Sequence, residues 1–202
     1  MKKSGAFALC VALCGLTVLL GSTREAEAAT TTVNAVLQGS SDCNSSCCPS
    51  NVQVTVNVDP TTGLWTAQVN GVPVGGNPNN PVPLPVTGNP PFSLRERKVI
   101  IRKVNEDPPT ETPGPWENKP PSQTGAPGGQ TSGSSSRLVD GATDSTANDT
   151  EGTDVDVRVE FELTMKITCA SGGGCADGAC VYLAKWSVTY NDGSASLAPG
   201  PY

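Results

Sequence analysis

Histidine is absent from all 202 residues of this chain. The absence excludes Ser-His-Asp hydrolysis, Cys-His proteolysis and the common His-ligated zinc and copper sites, because each of these needs an imidazole as base or ligand. Aromatic residues are also few, with three Trp, three Tyr and three Phe. Any catalysis by this chain would therefore have to use carboxylates or other groups.

A helical hydrophobic period is missing beyond the N-terminal segment, whereas the chain is rich in turn residues, with 22 Gly and 18 Pro. Strands without helices must bury their apolar faces against each other. The sequence therefore predicts an all-β fold, either an antiparallel β-sandwich or an open barrel.

The first 28 residues have the three parts of a secretory signal. Lys2 and Lys3 are followed by sixteen uncharged, mainly apolar residues from Ala6 to Gly21, and Ala26-Glu27-Ala28 supplies the small residues of a cleavage site. The apolar run is shorter than the ~20 residues of a permanent span. We therefore expect residues 1–28 to be removed and the protein to be secreted, periplasmic or on the cell surface; an uncleaved anchor is the alternative.

Loss of the signal would leave an acidic chain. It removes three of 13 basic and two of 19 acidic residues, which leaves 10 and 17 and a net charge of −7. An acidic surface repels phosphate groups, so we expect no nucleic-acid partner and no membrane contact after cleavage. The expected partner is a surface, carbohydrate or protein ligand that the sequence does not identify.

Three segments alternate between apolar and polar residues as half-buried strands do. The first runs from Val52 to Val58 and is followed by a turn at 59–63, in which Gly63 is expected to adopt a positive φ before the next strand. The longest runs from Val155 to Cys169, and the last surrounds Trp186. The last two predict an antiparallel hairpin, and Trp65 and Trp186 fall on core faces.

Residues 105–152 interrupt this pattern with a Pro-, Gly-, Ser- and Thr-rich stretch that is almost free of aliphatic side chains. Such a composition buries too little apolar area to offset the ordering of the backbone. We expect a long disordered insertion within one β domain, whose first part is 29–104 and whose second part is 153–202.

Six cysteines follow the signal in two groups of three, and we expect all of them to form disulfides in an oxidising compartment. Because each group is odd, at least one bridge must join the groups if every cysteine is bonded. A metal or redox site is the alternative, but no CxxC spacing supports it. The expected disulfide residues are Cys43, Cys47, Cys48, Cys169, Cys175 and Cys180.

Two other chemistries are consistent with the acidic residues. Paired carboxylates on one strand face could hydrolyse glycosides without histidine, although such a face is more often only solvated. A second acidic group is similar to a calcium loop but lacks its DxDxDG spacing. The first set is Asp154, Asp156, Glu160 and Glu162, and the second is Asp140, Asp144, Asp149, Glu151 and Asp154.

Basic residues between Arg95 and Lys103 are expected to pair across strands with the acidic strand at 154–162, or otherwise to bind an anion. Trp116 lies in a proline-rich stretch, where it could contact a ligand or fold back onto the domain. We therefore predict an exported, non-catalytic β-protein that acts as a surface, matrix or ligand-binding component without a cofactor. The alternatives are a carboxylate-dependent hydrolase of carbohydrate and a calcium-dependent adhesive module.

Overall fold

The structure is a computed structural model that describes residues 28–41, 48, 50–70, 72–73, 81–82, 92–102, 108–121, 129–145, 155–168, 179–191 and 194–200. Twelve strands and one helix lie in these ranges. In chain order they are β1 (Ala29–Ser41), β2 (Asn51–Val58), β3 (Leu64–Val69), β4 (Val72–Pro73), β5 (Pro81–Val82), β6 (Phe92–Arg102), β7 (Thr110–Pro113), β8 (Glu117–Lys119), β9 (Gln130–Ser134), α1 (Ser136–Asp144), β10 (Val155–Thr168), β11 (Ala179–Asn191) and β12 (Ser194–Pro199).

Ten of the strands form one antiparallel sheet with the order β7-β6-β10-β11-β1-β2-β3-β9, to which β12 adds beside β11 and β8 beside β6. Strands β4 and β5 pair separately. The sheet curls into a half-barrel, so the fold is all-β and disulfide-stabilised, as predicted, and takes the open-barrel form.

The alternating segments became strands because one face of each could be buried. In β2, the valines from Val52 to Val58 are buried on one face. The turn to β3 forms as predicted, since Asp59 accepts a hydrogen bond from the backbone N–H of Gly63, whose φ is +73°. Strands β10 and β11 pair along twelve positions from Val157–Tyr190 to Thr168–Ala179.

The curl brings together side chains that are distant in the sheet. Trp65 on β3 and Trp186 on β11 have ring centroids 5.9 Å apart, although β1 and β2 separate their strands in the sheet order. Phe161 on β10 stacks on Trp186 at 5.3 Å. These buried rings form the centre of the core inside the half-barrel, where the sequence predicted both tryptophans.

Part of the segment expected to be disordered carries secondary structure. Strands β7, β8 and β9 and helix α1 all lie within 105–152, while residues 105–107, 122–128 and 146–152 are outside the described part of the chain. The strands are short and add to edges that β3 and β6 already provide. Local composition did not predict them because their partners lie elsewhere in the sequence.

A glycine on β9 permits close packing in the core. A Cβ atom at Gly133 would lie 2.6–2.9 Å from three atoms of the Trp65 indole. We expect Gly133→Ala to lower the free energy of unfolding by about 1–3 kcal/mol, because a buried ring must move to make room. Urea unfolding measures the loss.

Gly39→Ala is the matched control, since a Cβ at Gly39 on β1 would meet nothing within 4 Å. We expect this variant to stay within about 0.5 kcal/mol of the parent protein. Equal effects of the two substitutions would contradict the packing seen around Trp65.

Candidate functional site

One disulfide joins the two cysteine groups. Cys48, just before β2, is bonded to Cys180 near the start of β11, with the Cα atoms 5.8 Å apart and a sequence separation of 132. It is a bridge of the kind that the odd number of cysteines in each group requires. Both residues are buried against the core. The other four predicted disulfide residues, Cys43, Cys47, Cys169 and Cys175, lie outside the described residues.

The outer face of the sheet carries the carboxylates that were candidates for glycoside hydrolysis. Glu160 on β10 is fully buried and accepts hydrogen bonds from Arg97, at 2.5 Å, and from Arg158, at 2.9 Å. Glu162, also on β10, is paired with Arg95 and, at 2.7 Å, with Lys185. The predicted cross-strand pairing of the basic segment is therefore confirmed for Arg95 and Arg97. Asp156 is buried on the same strand, and Asp154 lies outside the described residues.

These ion pairs lower the pKa of two outer carboxylates, Glu162 and Glu111. Burial raises the pKa of Glu162, but hydrogen bonds from Lys185 and Arg95 outweigh it and hold the pKa below its usual value. A bidentate contact from Arg158 likewise lowers the pKa of Glu111 on β7. A general acid needs a raised pKa, so neither group is suited to donate a proton to a leaving group.

Trp116 covers part of this charged face. Its ring lies 4.8 Å from the guanidinium carbon of Arg95 and 4.6 Å from that of Arg97, both within the range of cation–π contacts. The side chain is half-buried in the stretch between β7 and β8. Its arginine contacts place it against its own domain, so the proposed ligand contact at Trp116 would have to use the part of the ring that stays exposed.

Glu96 is an inner-face carboxyl that sequence reasoning missed. It lies on β6 in the same alternation as the buried Phe92 and Leu94, directly across from Phe161, and is fully buried. Neither of its oxygens has a hydrogen-bond partner, and burial raises its pKa. The signal was its position two residues after Leu94, which places it on the apolar side of the strand.

A groove of about 490 Å³ opens beside β11, at the point where the strand paired with β11 changes from β1 to β12. Strand β11 pairs with β1 as far as Leu183 and with β12 from Trp186 onward. The lining combines neutral polar and apolar side chains with one ammonium group. It consists of Thr32, Val33, Asn34, Val36, Gln38, Leu183, Lys185, Pro199 and Gly200.

Strand β1 presents an unpaired edge to this groove. Residues 29–36 pair with β2 on one side, but pairing with β11 on the other begins only at Val36, and no strand of the described chain pairs with 29–35 there. The N–H of Leu37 donates to the Ser50 carbonyl on the β2 side. Because backbone groups alternate along a strand, those of Thr32 and Asn34 point towards the groove.

Within the described ranges, no group of three or more Cys, Asp or Glu side chains is arranged to hold a metal ion. Of the acidic residues considered for calcium, Asp140 and Asp144 lie on α1, and Asp144 is paired with Lys98. Asp149, Glu151 and Asp154 are outside the described residues. Over the same ranges, no helix has the length and apolar character needed to cross a membrane.

Comparisons with protein-family models, with curated proteins and with solved structures found no match for this chain. Its function has to be argued from its own geometry.

Proposed function

We propose that this protein is an exported, non-catalytic binding component that holds an extended segment of a protein partner in the groove beside β1. The observation that carries the proposal is the unpaired edge of β1 along the wall of a groove of about 490 Å³. That volume lies within the ~300–1,000 Å³ typical of ligand clefts. The signal-like first 28 residues and the Cys48–Cys180 disulfide support an oxidising location outside the cytoplasm.

The chemistry of the groove favours a polypeptide. The backbone N–H and C=O groups of Thr32 and Asn34, which face no strand within the described ranges, match the hydrogen-bonding groups of an added strand. The exposed Val36, which is 53% accessible, offers an apolar contact for a side chain of that strand. Lys185 already pairs with Glu162, so the lining does not demand an anionic partner. We therefore expect a neutral, extended peptide with alternating apolar residues.

A non-catalytic role is supported by the state of the outer carboxylates. Glu160 and Glu162 each contact two basic side chains, and the acidic shift of Glu162 removes the proton that glycoside hydrolysis would use. The arrangement instead stiffens the face of the sheet opposite the core.

The test is selection of peptides of about eight residues on the oxidised protein, followed by measurement of affinity. We expect Val36→Trp, which fills the groove, to weaken a selected peptide at least about tenfold, a loss of about 1.4 kcal/mol. Leu64→Trp is the matched control, because Leu64 is equally exposed on β3 but does not line the groove. We expect this control to bind as the parent does.

Selected peptides that bind the Val36→Trp variant undiminished would overturn the groove as their site. A panel of neutral oligosaccharides, tested in parallel by ligand-observed NMR, covers the other class of partner. Binding of an oligosaccharide that Val36→Trp abolishes, without any peptide binding, would overturn the protein partner.

A further inference from the structure

Helix α1 is too short to be stable by itself. It has nine residues, its N-cap residue Ser135 makes no side-chain capping hydrogen bond, and its first turn holds no acidic residue. Isolated helices shorter than about 12 residues are marginal in water. The only charged side chain of its first turn is that of Arg137, whose sign is unfavourable at a helix N-terminus. The helix therefore depends on its contacts with the half-barrel.

Those contacts are apolar in the middle of the helix and charged at each end. Leu138 is fully buried in the core, and a Cβ at Gly141 would lie 3.0 Å from the Tyr190 ring. At the C-terminal end, Lys98 on β6 contacts Asp144 at 2.6 Å. Helix α1 thus covers part of the inner face of β6, β10 and β11.

At the N-terminal end, Arg137 lies between two carboxylates of very different exposure. Its guanidinium contacts the half-exposed Glu117 on β8 directly, but its Nε is 3.6 Å from the buried Glu96, beyond hydrogen-bond distance. Nε of Arg137, the hydroxyl of Ser135 and both oxygens of Glu96 are buried without hydrogen-bond partners. An ionised Glu96 is therefore poorly compensated in the docked arrangement.

We propose that Glu96 and the helix that covers it form a pH-dependent latch, which holds α1 on the half-barrel while this carboxyl is protonated and loosens the helix as the carboxyl ionises. The inference concerns the helix alone and does not depend on the proposed function of the groove. Its consequence is that the inner face beneath α1 becomes more accessible to solvent once Glu96 is ionised.

The groups that face Glu96 determine the direction in which pH changes the docking of α1. Burial raises the pKa of this carboxyl above its usual 4.5, and the negative charge of Glu117 raises it further. The Ser135 hydroxyl and the positive charges of Lys119 and Arg137 lower the pKa, but burial outweighs them. Opening of α1 would let water reach Glu96 and return its pKa towards the usual value. Docking is therefore most favourable below pH 4.5 and loses this advantage as the pH rises through the raised pKa.

Hydrogen exchange of the full oxidised chain tests the latch. We expect the protection factors of amides in 137–144, corrected for intrinsic exchange rates, to fall by about fivefold or more between about pH 4 and pH 8. Amides of β10 and β11 near Phe161 serve as an internal reference, and their protection is expected to change less. A parallel fall in both sets would show a global effect and overturn the latch.

Two variants identify the titrating group. We expect Glu96→Gln, which cannot ionise, to make the protection of α1 nearly independent of pH. Glu111→Gln is the matched control, since Glu111 lies on the edge strand β7 and pairs with Arg158 instead of facing α1. It is expected to keep the pH dependence of the parent. Unchanged protection of α1 in the parent protein from about pH 4 to pH 8 would overturn the proposal without either variant.

Discussion

Replacement of both Cys48 and Cys180 by alanine is expected to lower the free energy of unfolding by roughly 4–5 kcal/mol, the chain-entropy value for a loop of this length. The bridge closes a loop of 132 residues that contains β2 to β10, so its loss frees most of the unfolded chain to expand. Alanine keeps the buried positions apolar and small. Urea unfolding under oxidising conditions measures the change.

The same titration tests whether the bridge acts on the unfolded chain. A less compact unfolded state exposes more surface, so the m-value of the double variant is expected to rise while its free energy of unfolding falls. A variant that unfolds within about 1 kcal/mol of the parent would contradict a dominant role of the bridge.

Trp186→Ala is expected to cost about 3–5 kcal/mol, the usual range for removal of a large buried ring. Trp186 is fully buried, stacks on Phe161 and contacts Trp65 from the opposite wall of the half-barrel. Its removal leaves a cavity in the core between strands that the curl of the sheet brings together. Thermal or urea unfolding checks the loss, and Trp186→Phe, which keeps an aromatic ring, is expected to lose less.

Trp116→Ala is the matched control for a tryptophan outside the core. Its ring contacts Arg95 and Arg97, and each cation–π contact at a partly exposed site contributes about 0.5–1 kcal/mol. We expect a total loss of about 1–2 kcal/mol. A larger cost for Trp116 than for Trp186 would contradict the assignment of the core.

Glutamates on the two faces of the sheet formed by β6 and β10 lie in different surroundings. On the outer face, Glu160 and Glu162 are neutralised by basic groups of β6, β10 and β11. On the inner face, Glu96 of the neighbouring strand lies 3.6 Å from Nε of Arg137, a distance that leaves the carboxyl without a hydrogen bond from that group. The outer glutamates thus form ion pairs, whereas the inner glutamate carries the proposed pH dependence of α1.

The long strands could be predicted from the sequence because the alternation of apolar and polar residues is a pattern of neighbouring positions. The strands at Val52–Val58 and Val155–Thr168, the turn with Gly63 and the core positions of Trp65 and Trp186 all follow from a period of two and from turn chemistry. Strand β1 was not predicted, although Val33 and Ala35 alternate, because its remaining residues are mostly Thr, Asn and Ser.

The candidate sites were less predictable than the strands. Nothing near Val36 in sequence indicates a groove, since its walls come from β1, β11 and β12. Glu96 is covered by α1, which lies within the segment 105–152 whose composition predicts disorder. Trp116 was recognised as unusual, but its arginine partners depend on how β7 and β8 pair with β6.

The sequence alone determined the all-β class, the absence of histidine chemistry and, if every cysteine is bonded, the need for a bridge between the cysteine groups, because composition, period and parity are properties of the chain. Tertiary structure alone decided that the sheet curls into an open half-barrel, that Cys48 meets Cys180 and that residues 29–35 of β1 pair on one side with no other strand of the described chain. These features depend on contacts between segments that are far apart in the sequence, and the pattern within one segment does not indicate which distant segment it pairs with.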